Sequence, residues 1–374
     1  KEDGSAGGAS KKSLLGFPYP PKAIETQAGS EAVIHEFTDP ERKAFSSQSL
    51  YPRELNKPTT SIYARGISDS STGLPDAGII GSKDKNLDSG TIKIYRNQNN
   101  IEKAISLQER IFEGQKNLEL LNTKQLIEKE PQLKEIENQL VGGMYFPDDE
   151  IGDAHKFCKN LEDLVRNNGG RILTNTKINR ILVNKGKVNC IVTDRAILQT
   201  DRVVICAGSW SRDLLKNLRL NLPVRPVKGY SLTYNTAGLN NKPNFAIVDE
   251  SIHTAITPFK NRIRVAGTAE FVGFEDQIHP KRIDYLNNML ESVYPNLFKQ
   301  IDLNEGKIWH GFRPMSADGL PFIGKTKIEG LFVNCGQGHL GWTLAMGSAN
   351  LLADEVQNCA SEIDINPYLA RRSL

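Results

Sequence analysis

The sequence predicts a mixed α/β fold with two domains and an extended amino-terminal arm. Three patterns carry this prediction. Strand and helix patterns alternate between residues 89 and 221, strand patterns follow one another between 223 and 272, and regular patterning is sparse before residue 89. With 374 residues, 39% of them hydrophobic, the chain is long enough for two sizeable cores.

Residues 1–88 are expected to form an extended arm with little regular structure. They contain 28 Gly, Pro or Ser residues, and their apolar stretches are too short for a helix face or a sheet core. The first residues, Lys1 to Gly4, include neither an initiator Met nor an apolar signal core. We therefore expect any targeting segment to have been removed.

Regular structure is expected from residue 91 onward. The expected elements up to residue 206 are a strand at 91–95, a helix near 100–115, a short helix near 123–129 that stops before Pro131, a helix near 153–168, a strand at 171–174, a strand pair at 178–183 and 187–192, and a strand at 202–206. This alternation suggests a partly parallel sheet.

Between residues 223 and 272 the pattern becomes antiparallel and suggests a separate substrate platform. Its strands are expected at 229–234, 245–249, 253–257 and 263–266, and a helix near 281–294, a strand at 331–334 and a helix at 341–356 follow. We assign 89–150 and 222–308 to the platform domain, 151–221 and 309–358 to the other domain, and 359–374 to a tail.

Bulk composition excludes several classes of function. The net charge of +3 arises from 47 basic and 44 acidic residues without a like-charge block, so no footprint for nucleic acid or a membrane surface is expected. No run of 18 apolar residues predicts a transmembrane helix. Five widely spaced cysteines suggest neither disulfides nor zinc, and they favour a reducing, intracellular compartment.

Metal and hydrolase chemistry are not predicted either. The six histidines lack the i,i+4 spacing of a metal pair. No G-x-S-x-G motif occurs, and no cysteine carries a nucleophile signature.

Two glycine-containing turns follow predicted strands. After the strand at 202–206, Ala207 and Gly208 lead into a helix, and Gly208 either lets a ligand approach the backbone or only punctuates the structure. After the strand at 331–334, three glycines occur between residues 336 and 341 before the next helix. The first turn of that helix offers N–H groups to an anion, or the glycines simply allow a tight turn.

Arg313 is the strongest candidate for binding a substrate. It follows the apolar stretch 309–312 and precedes Pro314, so we expect it at the end of a strand where solvent is scarce. A buried guanidinium needs an anion, which is either a substrate carboxylate or an internal Asp or Glu. The neighbouring pair Asp318 and Gly319 is expected to form a turn.

From Gly90 to Val356 the sequence resembles the D-amino-acid oxidase superfamily of FAD-dependent oxidoreductases, and within it the D-amino-acid dehydrogenases. The matching runs are VGGMYFPDDE at 141–150, VRPVKGYSLT at 224–233, RIRVAGTAE at 262–270 and the segment 309–354. The resemblance implies part of a glutathione-reductase-like FAD domain together with an antiparallel-sheet substrate domain.

The resemblance also implies roles for individual residues. Arg313 would bind the substrate carboxylate, and Tyr230 and His253 would face the substrate. FAD would be bound by Ile178, Ala207, Gly208, Trp210, Gly336, Gly338, His339, Leu340, Gly341, Trp342 and Thr343. The implied chemistry is hydride transfer from the amino acid's α-carbon to flavin N5, with electrons passed on to a quinone or carrier instead of oxygen.

One departure from the family pattern leaves two hypotheses open. Residues 1–88 contain no βαβ unit with G-x-G-x-x-G, which in such proteins binds the pyrophosphate. Either a separate chain supplies this unit to an active dehydrogenase, or the protein is a non-catalytic subunit of a larger assembly, such as a mitochondrial respiratory or other membrane-associated complex. The cytoplasmic face of a bacterial inner membrane and the mitochondrion both remain open as locations.

Overall fold

The computed structural model describes residues 90–112, 118–149, 151–361 and 363–372. The arm predicted at 1–88 lies outside these residues. Within them the mixed α/β fold is confirmed. The strands are β1 (Thr91–Tyr95), β2 (Glu119–Leu121), β3 (Gly142–Phe146), β4 (Ile178–Asn184), β5 (Lys187–Thr193), β6 (Ile197–Gln199), β7 (Val203–Ile205), β8 (Val224–Asn235), β9 (Ala246–Asp249), β10 (Thr254–Phe259), β11 (Arg262–Glu270), β12 (Lys307–Ser316), β13 (Phe322–Lys325) and β14 (Leu331–Cys335).

Helices connect and cover these strands. They are α1 (Gln98–Phe112), α2 (Thr123–Lys129), α3 (Ala154–Asn167), α4 (Ser211–Lys216), α5 (Pro280–Val293), α6 (Pro295–Gln300) and α7 (Gly341–Gln357). Short 3-10 turns occur at Pro131–Gln139, Gly208–Trp210, Leu303–Glu305, Gly338–Leu340 and Asn366–Tyr368. All the predicted helices are present, and their ends differ from the predicted ones by a few residues.

An eight-stranded sheet forms the larger domain. Its spatial order is β12-β8-β11-β10-β9-β1-β3-β2, and every neighbouring pair is antiparallel except β1 and β9. Helix α5 covers one face, where Tyr230 and Leu232 of β8 share a core with Leu286 and Leu290. Because side chains alternate along a strand, Gly229 faces the other side of the sheet.

A second core forms around a three-stranded sheet of order β13-β14-β7. Strands β14 and β7 are parallel, and helix α7 packs on β13 and β14. A separate antiparallel sheet of β4, β5 and β6 contributes Ile181 and Val188 to the same core. The carboxyl ends of β7 and β14 therefore meet at one edge, where open sheets commonly bind ligands.

Two local predictions were wrong. Residues 171–174 form no strand, and Leu173 is about half exposed, since no neighbouring strand of the described region offers backbone partners to this segment. Arg313 lies inside a strand and not at its end, because β12 continues through Pro314 to Ser316. Proline is tolerated there because β12 is an edge strand of the described sheet, opposite Pro226.

The strand β12 crosses the expected domain boundary at residue 309. It pairs with β8 along its whole length, from Lys307 opposite Thr233 to Ser316 opposite Val224. Arg313 is thus carried by the large sheet. Further along the chain, part of the segment expected as a tail packs onto the second domain, where Tyr368 and Leu369 are buried.

Helix α3 is tied to the large sheet at its first turn. Asp153 caps the helix by accepting hydrogen bonds from the backbone N–H groups of His155 and Lys156. Its other carboxylate oxygen accepts a hydrogen bond from Arg262 of β11 at 2.8 Å. The same side chain therefore sets both where α3 begins and how it meets β11.

Candidate active site

The Arg313 side chain lies on the face of the large sheet that α5 leaves uncovered. Its guanidinium stands directly over Gly229 of the neighbouring strand: a Cβ at position 229 would lie 2.5 Å from both Nη1 and Cζ. Contacts that short do not occur between real atoms, so only glycine at 229 allows this arrangement. The half-buried guanidinium consequently lies flat along the sheet.

A bulge in β11 supplies a hydrogen-bond partner for Arg313. Nη1 donates to the Thr268 carbonyl at 2.9 Å, and the register of β11 against β8 shifts between Gly267 and Glu270. Thr268 has a φ of 66°, which is unusual for a β-branched residue. Its hydroxyl is buried without a hydrogen-bond partner among the described residues. Strain of this kind is frequent at binding sites, where it orients a carbonyl or a side chain.

The turn after β14 presents backbone groups at the ligand-binding edge of the smaller sheet. Gly336 and Gly338 have φ values of 85° and 59°, which favour glycine, and helix α7 begins at Gly341. No side chain caps this 17-residue helix, and the N–H groups in the first turn of a helix favour an anion. The spacing of Gly336, Gly338 and Gly341 matches a dinucleotide-binding fingerprint, a signal that counting glycines alone missed.

The turn after β7 lies beside the turn after β14. Because β7 and β14 are parallel, with Val203 opposite Leu331, the segment Ala207–Gly208 reaches the same edge as Gly336. Gly208 has a φ of 53°, and a Cβ there would meet nothing within 4 Å. Open space over a glycine backbone fits close approach of a cofactor. The residues present on this side therefore fit the FAD that the sequence resemblance implies.

Arg313 lies close to the turn that contains Gly338. Met315, two residues after Arg313, forms an antiparallel bridge with Gln337. A Cβ on Gly338 would lie only 2.8 Å from the Met315 sulfur. His339 interacts electrostatically with Arg313. Desolvation is the larger cause that lowers the pKa of His339, and the positive charge of Arg313 lowers it further. Its imidazole is therefore neutral near neutral pH. Arg313 and the turn that contains Gly338 thus belong to one candidate site.

The other predicted cofactor residues lie around this edge. Trp342 packs edge-to-face on Phe157 of α3, with ring centroids 5.4 Å apart, while Thr343 is exposed. Trp210, about half exposed, stacks on Phe274 at 5.1 Å. Leu340 precedes α7 as its N-cap residue, and Ile178 begins β4 on the surface.

Tyr230 is not brought beside Arg313. It lies on the opposite face of β8, almost fully buried under α5, and its hydroxyl donates to the Gln277 carbonyl at 3.4 Å. Burial and the nearby Glu270 carboxylate raise its pKa. The direction of Tyr230 follows from strand alternation, since its neighbour Gly229 faces Arg313.

His253 lies in the turn before β10, with a φ of 49°. Burial lowers the pKa of its imidazole, against the raising effect of Glu250 and Asp249. Its backbone carbonyl lies 3.6 Å from where a Cβ on Gly267 would be, next to the residue whose carbonyl binds Arg313. A Cβ on Gly267 would also lie 3.4 Å from Leu286 of α5, so the His253 carbonyl lies on the α5 face of the sheet and not on the face that carries Arg313.

Sequence reasoning missed three residues that shape the site. Gly229 and Thr268 position the guanidinium, and Trp309 shares its face of β12. Alternation along 309–313 could have indicated Trp309, whereas the bulge at Thr268 has no sequence signal. Across the described ranges, no group of three or more His, Cys, Asp or Glu side chains could hold a metal ion, and no helix there is long and apolar enough to cross a membrane.

Comparisons with known proteins identify relatives of most of the described region. Residues 82–355 match the family described as DAO, FAD dependent oxidoreductase. A D-amino acid dehydrogenase of Vibrio atlanticus is 36% identical over 285 residues, covering 76% of this chain and 68% of the relative. One from Vibrio cholerae is 39% identical over 268 residues, covering 71% and 62%. The chain therefore spans about two thirds of the length of such relatives.

Solved structures show the same fold. Glycine oxidase from Geobacillus kaustophilus aligns with a TM-score of 0.71 at 21% identity, covering 92% of this chain and 86% of that one. L-proline dehydrogenase from P. horikoshii aligns with a TM-score of 0.71 at 15% identity, covering 85% and 82%. At these identities the likeness concerns the fold alone.

Proposed function

The chain belongs to the DAO family of FAD-dependent oxidoreductases, and from that premise we propose that it oxidises amino acids as D-amino acid dehydrogenases do. The observation that carries the proposal is the position of Arg313. Its half-buried guanidinium lies over Gly229 and beside the turn that fits the cofactor. A planar guanidinium suits two parallel hydrogen bonds to a carboxylate.

Arg313 orients the substrate. Its Nη1 already donates to the Thr268 carbonyl, which fixes the plane of the fork in which a carboxylate would bind. A substrate held by its carboxylate would lie near Met315, whose sulfur borders Gly338. Positioning of this kind contributes much of the rate acceleration in reactions that need little acid–base help.

FAD, when bound, would accept a hydride from the α-carbon of the amino acid, and water would then convert the resulting imine to a 2-oxo acid and ammonia. The uncapped first turn of α7 would stabilise negative charge at the cofactor. His339, neutral because its pKa is lowered, would add no second positive charge beside Arg313. Ala207 and Gly208 would lie along the adenosine and pyrophosphate side.

Full affinity for FAD is proposed to need a further βαβ unit. The pyrophosphate-binding G-x-G-x-x-G unit of such proteins is absent from residues 1–88. A second polypeptide, or a longer form of this chain, would supply it. The Gly336 turn and the Gly208 turn would then complete the site from this side.

The test is reduction of bound flavin by amino acids. The purified chain is incubated with FAD, alone and with the βαβ fragment of a related dehydrogenase, and D- and L-amino acids are added without oxygen. Bleaching of the flavin absorbance by D-amino acids, together with formation of the 2-oxo acid, is expected for the wild type. The Arg313→Met variant should need far more substrate, and Arg313→Lys should recover part of the loss.

Two results of this test would contradict the proposed activity. If the chain binds no FAD with or without the βαβ fragment, or if no amino acid reduces the bound flavin, the proposed activity is wrong. The accessory-subunit hypothesis would then be favoured.

A further inference from the structure

Trp309 is the most exposed of the large hydrophobic side chains in the described residues, with 65% of its surface accessible. It lies on β12 four residues before Arg313, so the two side chains project from the same face of the strand. An indole this exposed gains little from packing within its own domain. Its surface is therefore available to a ligand.

The indole ring and the guanidinium stand over two glycines that face each other. A Cβ on Gly311 would lie 2.8 Å from Cζ2 of Trp309, just as a Cβ on Gly229 would overlap the Arg313 guanidinium. Gly311 and Gly229 are partners in the register of β12 and β8. Paired residues of antiparallel strands have Cα atoms roughly 5 Å apart. The six-membered ring of Trp309 and the guanidinium are thus immediate neighbours.

A positively charged group and an apolar ring therefore lie side by side on one face of the sheet. The glycine pair removes every side chain that would stand between the positive fork and the apolar ring. The other flank of Arg313 is taken by Met315, which leads to the Gly338 turn. A ligand that places a carboxylate on Arg313 therefore has Trp309 on one side and Met315 on the other.

We propose that Trp309 is the specificity-determining residue for the substrate side chain, and that it selects amino acids with large apolar side chains over alanine and glycine. This inference rests on the proposed amino-acid oxidation. The side chain of an amino acid branches one atom beyond its carboxylate carbon, so a carboxylate on Arg313 brings that side chain against the indole. Leucine or phenylalanine covers the ring, whereas a methyl group covers little of it.

The expected preference for large apolar side chains over alanine follows from the apolar surface that they bury against Trp309. Covering an indole face with an isobutyl or benzyl group removes apolar surface on both partners from water, and aromatic pairs gain somewhat more. We expect kcat/KM for D-phenylalanine to exceed that for D-alanine by about tenfold or more on this account. A charged side chain against the same ring would gain no such preference.

The experiment compares substrates within each variant, so a general loss of activity cancels. The FAD-bound protein, with its βαβ unit supplied where needed, is assayed with D-phenylalanine, D-leucine and D-alanine. Trp309→Ala should lower the ratio of kcat/KM for phenylalanine over alanine by about tenfold, because only the phenylalanine side chain covers the indole ring. Trp309→Phe should keep most of the preference.

Ile308→Ala is the matched control. Ile308 precedes Trp309 and is also largely exposed, but its side chain projects from the other face of β12. The control should leave the ratio unchanged. An unchanged ratio in Trp309→Ala, or equal losses for all three substrates, would overturn the inference.

A binding measurement separates this inference from the proposed activity. Phenylacetate and acetate are titrated into the wild type and Trp309→Ala, and dissociation constants are measured by calorimetry. The inference predicts tighter binding of phenylacetate than of acetate in the wild type only, and Arg313→Met should abolish both. If no amino acid reduces bound flavin but this pattern holds, the activity fails while the binding site stands. Equal binding of the two carboxylates overturns the inference itself.

Discussion

The guanidinium of Arg313 occupies the space that a side chain at Gly229 would fill. The two residues lie on neighbouring strands, and Arg313, opposite Val227, stands two pairs along the register from the Gly229–Gly311 pair. The arginine is therefore held flat against the sheet by a missing Cβ below it and by the Thr268 carbonyl beside it. Its geometry depends on backbone atoms of two other strands.

Gly229→Ala should impair substrate binding without unfolding the protein. The new methyl group would come about 1 Å closer to the guanidinium than an ordinary contact allows, so it would push the group off the sheet and break its bond to Thr268. Displacement of a positioning group by about 1 Å can cost up to about a hundredfold in rate. Steady-state kinetics should show KM raised at least tenfold, on the order of the loss of an oriented ion pair.

Thr233→Ala serves as the control for this variant. Thr233 lies on the same face of β8, four residues further, and accepts a hydrogen bond from Arg264 at 3.1 Å. It should change KM by less than about twofold, since its hydroxyl bonds to Arg264 and not to Arg313. Unaltered KM in Gly229→Ala, with thermal unfolding like that of wild type, would contradict the role assigned to Arg313.

Arg313→Met should raise the pKa of His339. Desolvation and the positive charge of Arg313 both lower this pKa, and the variant removes the second cause only. The pKa should therefore move up but stay below the ordinary value of about 6.5. Titration of the imidazole by NMR measures it directly, and Arg313→Lys, which keeps the charge, is the matched control.

The same shift has a consequence for stability. Because the folded-state pKa lies below the unfolded value, the unfolded chain binds more protons between the two values. His339 therefore makes the free energy of unfolding fall as pH drops from about 6.5 toward the folded-state pKa. This fall should be smaller in Arg313→Met. An identical pH dependence in wild type and variant would show that the two groups do not interact.

Gly208→Ala should weaken FAD binding selectively. The position has a φ of 53° and open space where the new methyl group would stand, so alanine there carries only the backbone cost of about 1 kcal/mol in the protein alone. When a cofactor approaches this backbone, the methyl group also collides with it. Titration followed by flavin fluorescence should show a dissociation constant raised about tenfold or more.

Gly186→Ala is the appropriate comparison for Gly208→Ala. Gly186 also has a positive φ, 81°, and open space around its Cβ position, but it lies in the hairpin between β4 and β5. It should lose similar stability and keep its affinity for FAD. Equal affinity losses in both variants would show that the Gly208 effect is only structural.

Much of the fold could be predicted because periodic patterns determine it. Alternation predicted β8, β10 and β11, and apolar periodicity with proline and glycine boundaries predicted α2, α3 and α5. The failure at 171–174 shows the limit of such patterns. A short apolar run forms a strand only where another strand offers hydrogen-bond partners, and this information is not local.

The candidate site was predictable in its residue types but not in its geometry. Arg313 and the glycines between 336 and 341 stood out, since guanidinium and glycine chemistry is specific. The register of β12 against β8 decided which side chains of the two strands meet, and it excluded Tyr230 from the Arg313 face while bringing in Gly229. Register depends on the pairing of distant strands, which a single sequence does not reveal.

Arg372 should be a major stabilising residue of the second domain, although it lies beyond the residues that match the family. Its guanidinium is 9% exposed and donates to both oxygens of Asp318, at 2.8 and 3.0 Å, and to the carbonyls of Pro321 and Leu320. It also lies 3.7 Å from the centre of the Phe322 ring. One side chain thus fixes the turn that leads from β12 to β13.

Arg372→Ala should lower the free energy of unfolding by about 3–5 kcal/mol, because it leaves the Asp318 carboxylate and two carbonyls without their donor. Urea denaturation followed by circular dichroism measures the loss. Arg371→Ala is a close control, since Arg371 is exposed and makes one hydrogen bond, to Asn366 at 3.3 Å. It should cost less than about 0.5 kcal/mol. If both variants unfold at the same urea concentration, the Asp318 turn does not depend on Arg372, and the C-terminal segment only lies against a domain that is stable without it.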